Sequence, residues 1–301
     1  MKSAFRSPGE KRRIIAIGES ILATAIWASS FVLVKIGLDY IGPLTIAGLR
    51  YFLGFLVLLP FLVRRGVSTQ SISKGLWLRM FVIGISAYAI GNGALFLGLI
   101  YLPATSVSFL MSLSPLFILA AGTAWLNETP TRWQVVGVVV SLIGSALFFS
   151  LGLHSGEPVG IAIVLVGMIG FTFFGILGRG IAREKQVDTL TLTTIPLGIG
   201  GGVLLLIALP VEGLPVFSPT SIGIVLWLAV VNTAFAYVLY NHSLQVLTAL
   251  EMNVVLNLAP LGTALLAWWF LGERLAFIQI LGMIIMIIGV IFVQRVRNQS
   301  E

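Results

Sequence analysis

The chain has 301 residues, of which 58% are hydrophobic and only 10% charged, and its mean hydropathy is +1.05. Soluble proteins carry about 25% charged residues, so this composition excludes an ordinary soluble domain and indicates a lipid bilayer as partner. The net charge of +7 could favour nucleic acid, but the basic residues flank apolar segments, so we expect no nucleic-acid partner. Cysteine is absent, which excludes disulfides, thiol nucleophiles and thiolate metal sites.

Apolar segments of about 18 or more residues, long enough to cross a bilayer as helices, follow one another along the chain. The first comes after Lys11, Arg12 and Arg13, as in a signal peptide, but it is too long for the hydrophobic part of one. The loops leave no room for a soluble catalytic or binding domain. We predict ten membrane-spanning helices, at 14–34, 43–62, 76–97, 104–126, 133–150, 159–177, 190–209, 220–240, 249–271 and 276–293.

The basic residues indicate how these helices are oriented. If the N-terminus is cytoplasmic, all but three of the 18 Lys and Arg residues lie on the cytoplasmic side. The exceptions are Lys35 and Arg274, which fall outside, and Arg50, which lies within the second helix. Because Lys and Arg accumulate on the cytoplasmic side, we expect both termini to be cytoplasmic.

The two halves of the chain repeat each other at a shift of 145 residues without a gap. Leucine matches are common by chance in a hydrophobic chain, whereas Pro, Glu, Gln and Gly in the same order are not. The matched pairs of these rarer types are Pro115/Pro260, Glu128/Glu273, Gln134/Gln279, Gly137/Gly282 and Gly144/Gly289.

Each half carries five predicted helices, an odd number, so the second half enters the membrane from the opposite side. We therefore predict an all-α membrane protein of about ten transmembrane helices, arranged as two inverted five-helix repeats over 14–150 and 158–293. Glu128 and Glu273 should then lie on opposite sides of the membrane. The paired glycines form smooth strips that should allow close helix packing.

Two stretches carry a proline followed by a helix that ends in Asn-Glu or Gly-Glu. They are ATSVSFLMSLSPLFILAAGTAWLNETP from Ala104 and LEMNVVLNLAPLGTALLAWWFLGERLAFIQILG from Leu250. With these stretches each half resembles an EamA domain of the drug/metabolite transporter superfamily, and the ten-helix layout is similar to that of amino-acid and metabolite exporters. The resemblance implies a small-molecule substrate, a bacterial plasma (inner) membrane and a monomer or homodimer.

Pro115 and Pro260 stand near the centres of the fourth and ninth predicted helices. Proline cannot donate to the carbonyl four residues earlier, so Met111 and Leu256 lose a hydrogen-bond partner, which is costly in lipid. Either Pro115 and Pro260 are hinges for a conformational change, or each is a simple kink that a neighbouring serine repairs.

Polar side chains recur four residues apart on several predicted helices, so they share one helix face. Aromatic residues of the first and sixth helices add flat apolar surface. We predict a central cavity for a small amphipathic solute, such as an amino acid with an apolar side chain. The alternative for each polar residue is hydrogen bonding between helices. The predicted substrate-binding residues are Trp27, Tyr88, Asn92, Ser108, Ser112, Phe171, Tyr237, Asn253 and Asn257.

Glu19 and Arg50 lie inside predicted helices, where ionisable residues are rare and often functional. Glu19 could couple transport by binding a proton or a substrate ammonium group, or it could pair with the basic cluster just before its helix. For Arg50 a structural role is favoured. Glu128 and Glu273 end their helices, and we expect each to cap the helix that follows it.

Motifs of enzymes and of ATP-driven pumps are absent from the sequence: there is no HExxH, no GxSxG and no P-loop. We therefore expect no enzyme activity, no metal and no cofactor. The pattern favours a secondary transporter that exposes one central site to each side of the membrane in turn. A membrane-embedded scaffold, a lipid-processing enzyme and a passive channel are the alternatives, although the rings of charge typical of channels are missing.

Overall fold

The computed structural model describes residues 8–65, 73–126, 130–151, 156–184, 188–243, 246–247, 255–256 and 258–293. Within these ranges the regular structure is helical and no strand occurs. The elements are α1 (Pro8–Gly37), α2 (Pro43–Arg64), α3 (Lys74–Ile83), π1 (Gly84–Asn92), α4 (Gly93–Tyr101), α5 (Ala104–Met111), α6 (Ser114–Leu126), α7 (Arg132–Phe148), α8 (Glu157–Glu184), α9 (Thr189–Glu212), α10 (Pro219–Ala229), π2 (Val230–Phe235), α11 (Ala236–Ser243), α12 (Ala259–Leu271) and α13 (Phe277–Val293).

Seven helical spans in the described part of the chain are long and apolar enough to cross a membrane. The helices α7, α12 and α13 are shorter but also apolar. Three of the long spans are composite. The elements α3, π1 and α4 form one continuous helix, α10, π2 and α11 form another, and the span 104–121 comprises α5 and the first part of α6. The prediction of an all-α membrane protein with about ten helices is confirmed.

Side chains at the helix starts explain where several of these helices begin. Thr131 and Gln134 form a capping box at α7, and Ser218 and Ser221 form another at α10. Asp188 caps α9 with its carboxylate, which accepts a hydrogen bond from the Thr191 amide. These caps bond backbone N–H groups that have no partner within the helix.

The helical segments repeat as the sequence does. The helices α6 and α12 have equal lengths and lie 145 residues apart, and the same holds for α7 and α13. The third helix of each half contains a π-helical segment, and π2 falls on positions equivalent to part of π1. The repeat therefore extends to an irregular feature that hydropathy does not reveal.

Equivalent helices run antiparallel, which confirms the inverted arrangement. The Glu212 carboxylate, at the end of α9, accepts hydrogen bonds from the amides of Leu44 and Thr45 at the start of α2. At the opposite end of this pair of helices, Oδ2 of Asp188, at the start of α9, lies 3.6 Å from Nη1 of Arg65, just past the end of α2. The helices α2 and α9 thus lie side by side in opposite directions. We call the end of the bundle that carries Glu212 the Glu212 end.

The first helix of each half packs against the third helix of the other half. Trp27 of α1 donates its Nε1–H to the carbonyl of Asn232 in π2, at 3.0 Å. In the same way, Gly167 and Gly170 of α8 lie against the backbone of Gly91 in π1. This exchange interlocks the halves, so each π segment lies at an interface between them.

The fourth predicted helix is interrupted just before its proline. Its first part, α5, ends at Met111, and α6 begins at Ser114. The Met111 carbonyl, which Pro115 deprives of a partner, accepts a hydrogen bond from Ser114 Oγ at 2.5 Å. This contact is the serine repair that the sequence offered as one of two alternatives. In the second half, α12 begins one residue before Pro260.

The glycine strips of α7 and α13 face each other. A Cβ atom on Gly282 would lie 2.6 Å from the Gly144 carbonyl oxygen and 2.6 Å from the Phe148 backbone nitrogen. A Cβ atom on Gly289 would lie 2.5 Å from the Ser141 backbone nitrogen. The two backbones therefore touch with no side chain between them, a packing mode favoured in lipid.

This contact predicts that Gly282→Ala destabilises the protein, because the added methyl overlaps backbone atoms that cannot move aside. Overpacking of this kind costs about 1–3 kcal/mol. We expect the apparent Tm of the purified protein in detergent to fall by roughly 3–10 °C. The matched control is Gly223→Ala in α10, where a Cβ atom meets nothing within 4 Å and the Tm should stay or rise slightly. Equal Tm values for the two variants would contradict the close packing.

Candidate substrate-binding site

Arg50 is a buried cation surrounded by neutral groups. It lies on α2 with 5% of its surface exposed. Its Nε donates to Thr233 Oγ1 at 2.9 Å, its Nη1 donates to Ser30 Oγ, and its Nη2 donates to the Asn232 carbonyl at 3.3 Å. Its Cζ lies 5.1 Å from the centre of the Tyr51 ring. No carboxylate among the described residues pairs with it, although an isolated charge at this depth is costly.

The π2 segment supplies the polar groups opposite Arg50. A π-helical turn changes the backbone hydrogen bonding locally, and the Asn232 carbonyl accepts from both Arg50 and Trp27. The Asn232 side chain is fully buried, and its Nδ2 donates to the Ile26 carbonyl at 2.5 Å and to Ser29 Oγ at 3.2 Å. Its Oδ1 has no hydrogen-bond partner among the described residues. The residue that bonds Arg50 through its backbone carbonyl therefore also carries a buried, unsatisfied side-chain acceptor.

Aromatic rings from both halves surround this polar centre. The side chains of Tyr88 and Tyr237, on the third helix of each half, are hydrogen-bonded to each other. The Trp27 ring meets Tyr237 edge to face with the ring centres 5.4 Å apart, and it lies 5.3 Å from Tyr240. The Tyr51 ring lies 5.2 Å from Tyr88. These contacts form one continuous group, which we call the aromatic cluster.

The structure brings together four of the predicted substrate-binding residues. Trp27, Tyr88 and Tyr237 belong to the aromatic cluster, and Asn92 joins it by accepting a hydrogen bond from the Tyr51 hydroxyl at 2.5 Å. Asn92 also donates to the carbonyl of Ala87 within its own helix at 2.9 Å. Its amide therefore holds Tyr51 in position and also bonds the irregular backbone of π1.

Other predicted residues make different contacts. Ser108 Oγ lies 3.0 Å from Thr263 Oγ1 of α12, and Ser112 Oγ donates to the carbonyl of Ser108 at 3.3 Å. Ser108 thus makes the helix-to-helix bond that the sequence offered as its alternative role, whereas Ser112 bonds the backbone of its own helical segment. The Phe171 ring packs against Gly91 of π1. Asn253 and Asn257 lie outside the described residues.

The sequence pattern pointed to only part of this centre. It did not single out Asn232, Tyr51 or Tyr240, and it favoured a structural role for Arg50. The signal for Arg50 was present, since it is a charge two turns inside a predicted span. The signal for Asn232 was weak, because it does not lie four residues from another polar residue of its predicted helix that was singled out.

Glu19 lies in the first half of α1, on the N-terminal side of Trp27. Its Oε2 is 2.7 Å from Nδ1 of His242, which is largely exposed at the end of α11. The sequence offered a coupling role or pairing with the preceding basic cluster, and the structure shows a histidine of the other half as a partner of Glu19.

Glu273 caps a helix, but the expectation that it caps the following one is wrong. Its carboxylate accepts from the amides of Ala104 and Thr105, at 2.8 and 3.2 Å, and from Thr105 Oγ1 at 2.8 Å. The cap at α13 comes instead from Gln279 Oε1, which accepts from the Ala276 amide at 2.9 Å. Glu273 therefore repeats on α5 what Glu212 does on α2. Glu128 lies outside the described residues.

Two hollows open near the Glu212 end. One has a volume of about 480 Å³ and the other about 260 Å³, and both are lined by Pro103, Glu157 and Glu273. Neither is lined by a predicted substrate-binding residue. In the described part of the chain, no group of three His, Asp or Glu side chains could hold a metal ion.

The architecture defines the class of protein. A bundle of about ten apolar helices in two inverted repeats, with polar side chains meeting between the halves, is the architecture of secondary transporters. The EamA-like transporter family matches the chain twice, over residues 14–150 and 158–295. The chain belongs to this family, and the resemblance seen in the sequence is confirmed.

Similar proteins are also transporters by name. An uncharacterized transporter of Archaeoglobus fulgidus is 29% identical over 89% of this chain and 93% of its own length. The uncharacterized inner membrane transporter YedA of Escherichia coli is 25% identical over 89% of this chain and 87% of its own. A crystal structure of another protein shares the fold, with a TM-score of 0.68 and 16% identity over 96% of this chain and 100% of that one. The chain is thus an integral membrane protein of a transporter family.

The Glu273 cap predicts a loss of stability in Glu273→Gln. The carboxylate accepts three hydrogen bonds at a helix N-terminus, where negative charge is favoured, and the amide has only one oxygen to offer. We expect a loss of about 1–2 kcal/mol, measured as a lower apparent Tm in detergent. Asp39→Asn, which removes the same charge from an exposed residue at the same end, serves as the control. If both variants melted at the same temperature, the cap would contribute nothing.

Proposed function

We propose that this transporter exports small metabolites, and that its substrates are amino acids, including apolar and aromatic ones. The observation that carries the proposal is the aromatic cluster, in which Trp27, Tyr88 and Tyr237 meet across the interface of the two halves. Flat apolar walls with a few hydroxyl and amide groups suit a small amphipathic solute. Export is the direction that the family resemblance implied.

The proposed mechanism is alternating access. Tyr51 and Tyr88 are buried, and Trp27, Tyr237 and Tyr240 are half-buried, so a substrate can reach the inner part of the cluster only after the helices move. A helix can bend at the interruption before Pro115, at the start of α12 just before Pro260, and at the two π segments. We propose Pro115 and Pro260 as the hinges. Because the two halves, 14–150 and 158–293, are inverted copies, bending of one half produces an inward opening and bending of the other an outward opening.

We propose further roles for Asn253, Asn257 and Glu19. Asn253 and Asn257, which precede Pro260 as Ser108 and Ser112 precede Pro115, complete the proposed substrate site. Glu19 is the proposed coupling group, and its contact with His242 supports a role in which the pair exchanges a proton or separates as the helices move.

The proposal predicts counterflow of amino acids in liposomes. Vesicles that contain the purified protein and a high concentration of unlabelled L-phenylalanine should transiently accumulate labelled L-phenylalanine from outside. Trp27→Ala removes the ring that contacts Tyr237 and Tyr240, and we expect its KM to rise about tenfold. Trp269→Ala, which removes a ring that is 74% exposed on α12, should leave the KM within about twofold.

The possible results separate the alternatives. A passive channel would let label equilibrate without an overshoot. The absence of exchange for every amino acid in a broad panel would contradict the amino-acid assignment. Equal loss in Trp27→Ala and Trp269→Ala would contradict a binding role for the cluster.

The proposed orientation, with both termini in the cytoplasm of a bacterium and the Glu212 end outside, has its own test. The chain contains no cysteine, so single cysteines report unambiguously. Leu214→Cys, at an 84% exposed residue of the Glu212 end, should react with a membrane-impermeant maleimide in intact cells. Gly75→Cys, at the start of α3 on the opposite end, should react only after the membrane is opened. The reverse labelling pattern would overturn the orientation.

A further inference from the structure

We propose that Arg50 binds the carboxylate of the transported solute, and that Asn232 Oδ1 accepts a hydrogen bond from an N–H donor on the same solute. This inference rests on the proposed function and narrows it, because it makes a carboxylate with an adjacent amino group the recognised feature. An α-amino acid in its zwitterionic form carries both groups.

The first observation is that Arg50 has no carboxylate partner among the described residues. A guanidinium has five N–H donors in a planar fork, and the structure gives Arg50 three hydrogen bonds, to Thr233, Ser30 and the Asn232 carbonyl. All three partners are neutral, and the rings of Tyr51 and Phe96 add only their faces. A carboxylate would supply both the missing negative charge and acceptors for the remaining N–H groups.

The second observation is independent of the first and concerns Asn232. Its Oδ1 is buried without a hydrogen-bond partner among the described residues. The amide cannot reverse its orientation without penalty, because Nδ2 already donates to the Ile26 carbonyl and to Ser29 Oγ. An acceptor left unpaired in an apolar interior is costly, so the oxygen favours a donor brought by a ligand.

The third observation is the break in symmetry. At the shift of 145 residues, Arg50 corresponds to Ile195 on α9, and Asn232 corresponds to Ala87 in π1. Both equivalent residues are apolar and buried. The antiparallel packing of α2 with α9 and the formation of a π segment therefore do not require a cation or an amide at these positions. A purely structural reading of Arg50 and Asn232 leaves this asymmetry unexplained.

The test compares analogues of one probe in the reconstituted full chain. Inhibition of labelled L-phenylalanine counterflow is measured with three unlabelled competitors. They are phenylalanine, phenylalaninamide, which lacks the carboxylate, and 3-phenylpropionate, which lacks the amino group. For the wild type we expect phenylalanine to inhibit at least about tenfold more strongly than either analogue. In Arg50→Gln, phenylalanine should no longer inhibit more strongly than phenylalaninamide. Arg50→Lys should keep part of this preference because the positive charge remains.

Arg64→Gln is the matched control, since it removes an exposed arginine from the end of the same helix and should preserve the preference. A structural role of Arg50 would lower the amount of folded protein but would not change the ratio between analogues. An unchanged ratio in folded Arg50→Gln would overturn the Arg50 assignment. Inhibition by 3-phenylpropionate as strong as by phenylalanine would overturn the Asn232 assignment.

A second measurement separates this inference from the proposed function. The apparent Tm of the detergent-purified protein is measured with a panel of carboxylates and with the matching amides. If no amino acid is exchanged by the wild type, but carboxylates raise its Tm and fail to raise that of Arg50→Gln, the proposed substrate is wrong and the carboxylate site stands. If amides stabilise the wild type as well as carboxylates do, the site is overturned whatever the transport assay shows.

Discussion

Inside the hydrocarbon of a bilayer every backbone polar group and every charge must find its partners within the protein. This constraint accounts for most of the polar contacts in the bundle. The Met111 carbonyl freed by Pro115 is bonded by Ser114, and the first amides of α2 and α5 are bonded by carboxylates from the other half. Against this background, the charge of Arg50 and the free oxygen of Asn232 are exceptions in the described structure, and they lie at the same interface.

The helices and the repeat could be predicted because both are properties of local sequence. The length of an apolar segment shows directly whether it can span the membrane. The matched prolines and glycines show the repeat at a shift of 145 residues, and neither pattern depends on how the helices pack. The helix faces that carry Tyr88, Asn92 and Tyr237 were likewise visible from spacing alone. The break before Pro115 followed from the missing N–H of proline, although only the structure shows which serine bonds the freed carbonyl.

The contacts between the halves could not be predicted in the same way. Arg50 meets Thr233 across 183 positions of sequence, and Trp27 meets Asn232 across 205. Those pairings depend on the relative position of two packed helices, which no local sequence pattern encodes. In addition, the π-helical turn of π2 changes which side chains lie on the same helix face. The same limit explains the error at Glu273. Sequence distance pointed to the following helix, whereas the carboxylate reaches the start of α5 from across the bundle.

The facing glycine strips of α7 and α13 have a consequence for the origin of the fold. The contact joins equivalent surfaces of two equivalent helices in opposite directions, so it is self-complementary. A single five-helix ancestor would have carried both sides of this contact on one helix and could have associated with an upside-down copy of itself. Fusion of two such copies into one chain would have needed no new surface there, only a linker that preserved the opposed orientation.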